Sequence, residues 1–563
     1  MKLTTYKHLK FSILFITLFS LNNPLYSKFP SSSYFSDLFL TFLEKCTALI
    51  TAPLNMAKNL DQLSNFYNRA QSWQHWWESQ EKTYEKSVET PEKAAELLQS
   101  CFNNIQFFGA STSHYQIEGG YEDILDQHGK PADTVEKYNQ EHGLRRPRIS
   151  VDFWNNYKTI IPKIKQELNI NMLRISISWS RVQPDKDYFN REAIDRYVDI
   201  VKTLRENDIE PLVTFHHYTN PVWFQELDGF EKKENIHCFV EFCTAMYKEL
   251  APYVQYYSTI NGSESYAFKA YFAQELPPYE KNLQKTMEVQ CNILEAHVQI
   301  YEAIKEEYRE KCILSCDGTF KGKEPLIGIQ KNVHPIDVAK KTWKEKLLLW
   351  LSTAVTYFGN KIQNQGFDGF FTTGIFSVKI PGACSVYHEN KKAPQCIDWI
   401  GINCYANREM MGTKQIREVP EKLQSESGHY YACPWIIYRA TQQVYDAVIA
   451  PIYATYEKLV PIIITENGLA TRNEQQREWY FKQIAIALHL ITKDGYPLIG
   501  YLPWTTVDCF EWRSGLTHTY GLINVEFAGE HFLSSKEYKP VLKNAKQGAK
   551  FYADFIKYIL RLR

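Results

Sequence analysis

The sequence has no excess of charge of either sign. Lysine and arginine together number 64, aspartate and glutamate together number 64, and the formal net charge over the 563 residues is zero. Proteins that bind the phosphate backbone of nucleic acids concentrate lysine and arginine on one face or in one segment. The balanced composition therefore argues against nucleic acid or any other polyanion as a partner.

Cysteine is present but never at a spacing typical of metal ligands. The twelve cysteines include no CxxC pair and no cysteine–histidine cluster with the spacing of a zinc site. We interpret them as free thiols, because unpaired cysteine usually behaves as a small hydrophobic core residue. No structural metal is expected.

The N-terminal apolar run is too short for a typical membrane-spanning helix. It extends from Phe11 to Leu21 after three lysines, whereas a bilayer-spanning helix needs ~20 residues. Basic residues before a short apolar run predict an export signal in residues 1–27, and hence a periplasmic or secreted protein. Since Leu25 is not a small residue ahead of a cut after Ser27, an uncleaved membrane anchor is the alternative, and the membrane would then be contacted through this segment alone.

Aromatic residues, in contrast, are abundant. The chain contains 37 tyrosines, 32 phenylalanines and 13 tryptophans, and 44% of it is hydrophobic. That is ample for a large core and excludes a disordered chain. Aromatic rings with polar edges also stack well on sugar rings, although an aromatic-rich core is the plainer explanation for most of these residues taken singly.

The pattern of the chain changes near residue 101. Residues 28–100 contain an amphipathic stretch and a tryptophan-rich stretch without a catalytic motif, and we interpret them as a helical extension of unknown role. Residues 101–563 alternate short β-branched or aromatic runs with longer helical periods, which indicates repeated βα units. The sequence thus predicts an α/β protein, a (β/α)8 TIM barrel with an N-terminal helical extension.

Eight runs are candidates for the barrel strands, and residues 318–395 are predicted to form a helical and loop insertion near the mouth. In such a barrel the working residues lie at the carboxyl ends of the strands. The strand candidates are Ile105–Ala110, Met172–Ser178, Pro211–His216, Tyr256–Asn261, Cys312–Asp317, Asp398–Asn403, Pro461–Thr465 and Leu498–Trp504.

Glu466 is the most informative of the strand-end residues. The segment IIITENG places its carboxylate directly after four β-forming residues, where burial is costly without a function or a cationic partner. Arg174 is the candidate partner that keeps this carboxylate ionised. The other strand ends carry amide, imidazole and indole groups, which suit a ligand rich in hydroxyls.

Seven segments resemble glycoside hydrolase family 1, the β-glucosidase and β-galactosidase family. In order along the chain they are FFGASTSHYQIEGG, LRISISWSRVQP, PLVTFHHYTNPVWF, YYSTINGSE, DWIGINCY, PIIITENG and WTTVDCFEWRSGLTHTYG. The resemblance implies a (β/α)8 barrel and retaining hydrolysis of a β-linked glycoside through a covalent glycosyl-enzyme. It implies no metal and no organic cofactor, because the chemistry needs carboxylates and water.

The resemblance also implies roles for individual residues. Glu466 would attack the anomeric carbon, and Arg174 and Tyr405 would hold it. The remaining residues would bind the sugar, with Asn261 at the 2-hydroxyl, Trp504 beneath the ring and the other four at further hydroxyls: Gln116, His217, Glu511 and Trp512. Because the serine and lysine set of members that act on 6-phosphorylated sugars is absent after Trp504, an unphosphorylated substrate is implied.

One position departs from the family pattern in a way that concerns the chemistry. Family members read Thr-x-Asn-Glu-Pro at the end of the fourth strand, and that glutamate is the general acid and base. Here the chain continues from Asn261 to Gly262, Ser263 and Glu264. Gly262 cannot transfer a proton, and Tyr218 also stands where the family usually has tryptophan.

Three hypotheses follow from the altered site. In the first, Glu264 takes over as acid and base, which requires a different loop path because two residues span up to ~7 Å. In the second, the enzyme works without a protein acid on activated glycosides, as the myrosinase branch of the family does. In the third, the barrel is a non-catalytic glycan-binding pseudoenzyme, against which the intact Glu466, Arg174 and Tyr405 argue.

Overall fold

The computed structural model describes most of the chain from residue 76 onward. The segments predicted as export signal (1–27) and as the first part of the helical extension (28–75) lie outside the described residues. The described ranges are 76–99, 105–314, 322–334, 336–338, 364–380, 382–405, 408–411, 414–415, 425–426, 433–527 and 540–562.

Eight parallel strands close into a barrel, which confirms the predicted fold. Each strand pairs with the strands before and after it, and the first pairs with the last. Most strand positions are buried, as expected where helices cover the outside and side chains fill the inside. The strands are β1 Phe107–Ser111, β2 Met172–Ser176, β3 Glu210–His216, β4 Tyr256–Asn261, β5 Leu326–Asn332, β6 Trp399–Asn403, β7 Ile462–Glu466 and β8 Leu498–Tyr501.

The fifth strand is not where the sequence analysis placed it, and the prediction of Cys312–Asp317 is wrong. The helix Leu283–Leu314 continues through Cys312, and β5 follows at Leu326–Asn332. Gly328 interrupts the apolar run of β5 because a β-carbon there would collide with the Trp399 ring, so the strand lacks the usual β-branched signature. The insertion at the mouth therefore begins after Asn332, not at residue 318.

The helices that surround the barrel begin and end with ordinary sequence signals. The helix Arg191–Glu206 starts after Asn190, whose side chain accepts a hydrogen bond from the Ala193 N–H, and it carries Arg205 in its last turn. Further helical residues lie at 76–84 and 364–373. The helices are Pro91–Leu98, His114–Ile117, Thr134–Glu141, Phe153–Leu168, Trp179–Val182, Arg191–Glu206, Val222–Glu226, Ile236–Leu250, Ser263–Tyr271, Leu283–Leu314, Ile436–Val444, Ala450–Tyr456, Glu474–Lys493 and Gln547–Leu562.

The described part of the N-terminal extension packs on the outside of the barrel. Trp77 is buried, and its indole Nε1 donates a 3.1 Å hydrogen bond to Gln483 on the helix Glu474–Lys493. The ring of Trp76 lies 4.9 Å from that of Tyr438. Residues 76–99 therefore share the hydrophobic core of the barrel. No helix within the described ranges is long and apolar enough to cross a membrane.

Part of the insertion after β5 forms an antiparallel hairpin against the barrel. Its strands, Ile375–Ile380 and Cys384–Glu389, are fastened to the helix Leu283–Leu314 by the 2.8 Å contact between His388 Nε2 and the Glu295 carboxylate. The hairpin thus lies beside a helix that contributes to the mouth of the barrel. The other short strands are Ile336–Val338, Arg408–Met411, Lys414–Gln415, Ile523–Glu526 and Val541–Ala545.

Candidate active site

A cavity opens at the carboxyl ends of the barrel strands, and nine of the ten predicted site residues line it. The tenth, Arg174, lies buried behind Glu466. Parallel strands end at one face of the barrel, which is why residues far apart in sequence meet here. The predicted residues that line the cavity are Gln116, His217, Asn261, Glu264, Tyr405, Glu466, Trp504, Glu511 and Trp512.

Glu466 closes strand β7 with its carboxylate held from two sides. The Tyr405 hydroxyl donates a 2.8 Å hydrogen bond to Oε2. Nη2 of Arg174 lies 2.7 Å from Oε1 in an ion pair that is not aligned as a hydrogen bond, since no partner donates to this oxygen within the described residues. The guanidinium places a positive charge directly against this carboxyl group. Glu466 can therefore serve as a nucleophile.

Arg174 also organises the imidazole and amide beside it. Its Nη2 lies 3.1 Å from His217 Nδ1 and 3.4 Å from Asn261 Oδ1, and the Asn261 amide lies 3.0 Å from His217 Nε2. Burial first, and the Arg174 charge second, hold the pKa of His217 well below its ordinary value. The imidazole is therefore neutral and serves as a hydrogen-bonding group.

Glu511 forms the polar floor of the cavity together with Gln116 and Trp504. Its Oε1 accepts a 2.9 Å hydrogen bond from Trp504 Nε1, and its Oε2 accepts one of 3.2 Å from Gln116 Nε2. The buried Gln116 Oε1 accepts no hydrogen bond within the described residues. Burial raises the pKa of Glu511 to about 8. Oxygens of Gln116 and Glu511 are thus available to sugar hydroxyls.

Gly262 has no room for a side chain. Its φ of +58° is a left-handed conformation that favours glycine. A β-carbon at this position would lie 2.9 Å from Asn332 Cγ, still closer to Asn332 Nδ2, and 3.2 Å from the Tyr218 hydroxyl. A glutamate at position 262 would therefore require these neighbours to move.

Glu264 lies in the first turn of the helix Ser263–Tyr271 and lines the same cavity as Glu466. Its Oε1 accepts a hydrogen bond from the backbone N–H of Asn332, and its Oε2 accepts one of 3.2 Å from the Ser263 hydroxyl. Burial raises the pKa of this carboxyl group to about 7. A carboxyl group with this pKa can give up and take back a proton near neutral pH.

Several lining residues were missed by the sequence analysis. Ser265, Phe268 and Lys269 share a helix face with Glu264, and their spacing would have indicated this once the helix start was known. Asn332 was missed because β5 was misplaced. Among the described residues, no three His, Cys, Asp or Glu side chains are grouped so that they could hold a metal ion.

The comparison with known protein families decides the identity of this barrel. The sequence model described as "Glycosyl hydrolase family 1" matches residues 98–559. The chain belongs to glycosyl hydrolase family 1. It is accordingly an O-glycosyl hydrolase by family, as the seven segments predicted.

Curated relatives of this family 1 protein include two 6-phospho-beta-galactosidases. The one from Staphylococcus epidermidis is 26% identical over 463 residues, which cover 75% of this chain and 93% of the relative. The one from Clostridium acetobutylicum is 24% identical over 468 residues, which cover 76% and 94%. Both alignments span nearly the whole relative.

Solved structures similar to this family 1 chain carry the same fold. A beta-glycosidase from Pyrococcus horikoshii has a TM-score of 0.62 and 23% identity, with 81% of this chain and 96% of that chain covered. A beta-glucosidase from Thermotoga maritima in complex with cyclophellitol has a TM-score of 0.65 and 20% identity, with 81% and 98% covered. At these identities the likeness supports the barrel fold alone.

Proposed function

We propose that the protein is a retaining β-glycosidase in which Glu466 is the nucleophile and Glu264 is the general acid and base. The observation that carries the proposal is the placement of the two carboxyl groups in one cavity with opposite environments. Glu466 faces the Arg174 guanidinium and the Tyr405 hydroxyl, whereas burial raises the pKa of Glu264 to about 7. In glycosidases, two carboxyl groups with such different surroundings serve as the acid and the nucleophile.

The reaction divides into two steps. In the first, a Glu466 oxygen bonds to the anomeric carbon, the bond from that carbon to the leaving oxygen breaks, and Glu264 gives its proton to the leaving oxygen. In the second, Glu264 takes a proton from water, the water oxygen bonds to the anomeric carbon, and Glu466 is released as carboxylate. Two inversions at one carbon give net retention.

The substrate that we propose is an unphosphorylated β-glycoside. Glu511 and Gln116 present oxygen acceptors to the sugar, and Trp504 holds Glu511 in place. A sugar phosphate beside Glu511 would be repelled once this carboxyl group ionises, as the pH rises through about 8. Within the described residues that line the cavity, Lys269 is the one lysine or arginine, and its ammonium lies 5.0 Å from the Tyr218 ring centre.

A second candidate is the hydrolysis of 6-phospho-β-galactosides. The names of the curated relatives favour it, since both relatives described above are 6-phospho-beta-galactosidases. Lys269 would then be the cation available to the phosphate. The two candidates share the chemistry of Glu466 and Glu264 and differ in what binds at the sugar 6-position.

The test is a set of nitrophenyl β-glycosides, namely the glucoside, the galactoside and their 6-phosphates. We expect the neutral glycosides to have the higher kcat/KM, and a clear preference for the 6-phosphates would replace the first substrate with the second. A 2-deoxy-2-fluoro-glycoside should label Glu466 covalently. Mass analysis of the peptides would locate the labelled residue. Absence of any adduct and of any turnover would favour the non-catalytic glycan-binding hypothesis.

The role of Glu264 has its own test. The Glu264→Ala variant should cleave unactivated glycosides roughly 10²- to 10⁴-fold more slowly than the parent and should be accelerated by azide, which needs no base to attack the glycosyl-enzyme. A Glu264→Gln variant as fast as the parent on unactivated glycosides would eliminate this role. In that case, a parent active on activated glycosides alone would match the myrosinase-like hypothesis.

A further inference from the structure

The space beside Gly262, where the resemblance to family 1 implies an acid/base side chain, is occupied by two other residues. A β-carbon at Gly262 would lie 3.2 Å from the hydroxyl of Tyr218 and even closer to the side-chain amide of Asn332. Both residues line the cavity that also contains Glu264 and Glu466. The space beside Gly262 is therefore filled by polar side chains that face the cavity.

Tyr218 is held in this place against its backbone preference. Its φ is +71°, a conformation that is a genuine outlier for a bulky aromatic residue and that persists only where surrounding contacts hold it. Ring contacts fix the side chain, with centroid distances of 5.2 Å to His217 and 5.7 Å to Trp512. The Lys269 ammonium lies over the ring at 5.0 Å. The hydroxyl is thus positioned by several neighbours at once.

Asn332 joins this hydroxyl to the proposed acid. Its Nδ2 donates a 3.1 Å hydrogen bond to the Tyr218 oxygen, while its backbone N–H donates to Glu264 Oε1. A phenol oxygen that accepts a hydrogen bond still has its own proton to donate. Burial raises the pKa of Tyr218, so the phenol stays protonated over the working range of the enzyme.

We propose that Tyr218 is a further catalytic residue, which donates a hydrogen bond to the glycosidic oxygen as the bond to the leaving group breaks, and that Asn332 is its positioning residue. The inference rests on the proposed function and adds a second donor to it. Glu264 still transfers the proton to the leaving oxygen, and Tyr218 keeps its own. Negative charge that develops on the leaving oxygen is what the phenol stabilises.

The experiment compares Tyr218→Phe with the parent on aryl β-glycosides whose leaving groups run from dinitrophenol to unsubstituted phenol. A lost hydrogen bond to a developing charge should lower kcat roughly 3- to 10-fold for the phenyl glycoside and much less for the dinitrophenyl glycoside. The dependence of kcat on leaving-group pKa should therefore steepen. Tyr257→Phe is the matched control. It also removes the hydroxyl of a buried tyrosine, but Tyr257 lies on β4 and is not among the residues that line the cavity.

Asn332→Ala provides the second variant. It removes the side-chain donor to Tyr218 but keeps the backbone N–H that holds Glu264. We expect the same steepening as in Tyr218→Phe, and little further loss when the two substitutions are combined, because both act through one contact.

An equal loss on every aryl glycoside, or no loss at all, would overturn the role of Tyr218 and leave the proposed function standing. Failure of the parent to hydrolyse any glycoside or to be labelled at Glu466 would overturn both. Thermal unfolding of each variant separates these outcomes from misfolding. If Tyr218→Phe unfolds below the assay temperature, Asn332→Ala takes its place in the comparison.

Discussion

The guanidinium of Arg174 lies 2.7 Å from the carboxylate of Glu466, and the pair is buried at the mouth of the barrel. Arg174 comes from β2 and Glu466 from β7, so the contact exists only when the barrel is closed. Arg174 also donates to the backbone carbonyl of Thr465, at 3.2 Å. One side chain thus contacts both the carboxylate of Glu466 and the backbone just before it.

Removing that cation should reduce both activity and stability. In Arg174→Gln, Glu466 would keep a buried charge without a cationic partner, which costs roughly 3–5 kcal/mol when one member of a buried pair is lost. We expect a decrease of that size in the free energy of unfolding in urea and a fall in kcat of at least ~100-fold. Arg191→Gln is the control, because its pairs with Asp195 and Glu249 are exposed and should each contribute under ~1 kcal/mol.

The pH dependence should reveal Glu264. Because burial raises the pKa of this carboxyl group from 4.5 to about 7, the protonated donor is present below pH 7 and is lost as the pH rises through that value. We expect kcat/KM for the phenyl glycoside to decline above about pH 7. The same decline in Glu264→Gln, measured with a dinitrophenyl glycoside, would assign it to another group.

Stability should change with pH in the same window. A carboxyl group whose folded-state pKa is raised stabilises the fold at pH values below its unfolded pKa, and this contribution is lost as the pH rises through the folded value. Glu511 and Glu136, with pKa values of about 8 and about 7, act in the same direction. The part due to Glu264 is the difference between parent and Glu264→Gln in urea titrations from about pH 4.5 to about pH 8.

Introducing at position 262 the glutamate that the resemblance to family 1 implies should not increase activity. In Gly262→Glu, the left-handed backbone and the collision with Asn332 both oppose the new side chain, and strain of this kind costs on the order of 1–3 kcal/mol. We expect lower stability in urea and no gain in kcat on phenyl glycosides.

A matched pair of variants separates the two sources of strain. Gly262→Ala tests the backbone and the first carbon alone, and Gly262→Glu combined with Asn332→Ala opens the space. A Gly262→Glu variant that is as stable as the parent and faster would show that the site accommodates a glutamate at position 262.

The N-terminal segment should contribute to the stability of the barrel. Trp77 is only 2% exposed, and replacing a buried tryptophan by alanine typically costs 3–5 kcal/mol. We expect Trp77→Ala to lower the free energy of unfolding by about that amount, with Gln483 left without its partner. Trp76→Ala, at a partly buried position, should cost less. Equal and small effects would mean that the segment packs on the barrel without stabilising it.

Much of this site could be predicted from the sequence because parallel strands end at one face. Glu466, Arg174 and Tyr405 lie on or beside three different strand ends, and knowing the strand order was enough to bring them together. The residues of the cavity floor, Gln116, Trp504 and Glu511, could be predicted in the same way.

The remaining parts depend on geometry that the residue pattern does not encode. The position of β5 was hidden because Gly328 breaks its apolar run, and with it Asn332 was lost. The orientation of Glu264 depends on the left-handed turn at Gly262, which directs the first helical turn toward the cavity. The hydrogen bond between Asn332 and Tyr218 depends on the position of β5 and on the turn at Gly262, and it could not be predicted without them.

The bond from Asn332 to Glu264 comes from the main chain, whereas its bond to Tyr218 comes from the side chain. Any residue except proline at position 332 would supply the first bond, but few would supply the second. Mutation at this one codon can therefore change the contact with Tyr218 while the hydrogen bond to Glu264 is kept. The identity of residue 332 thus separates chains that can keep the contact with a tyrosine at position 218 from chains that cannot.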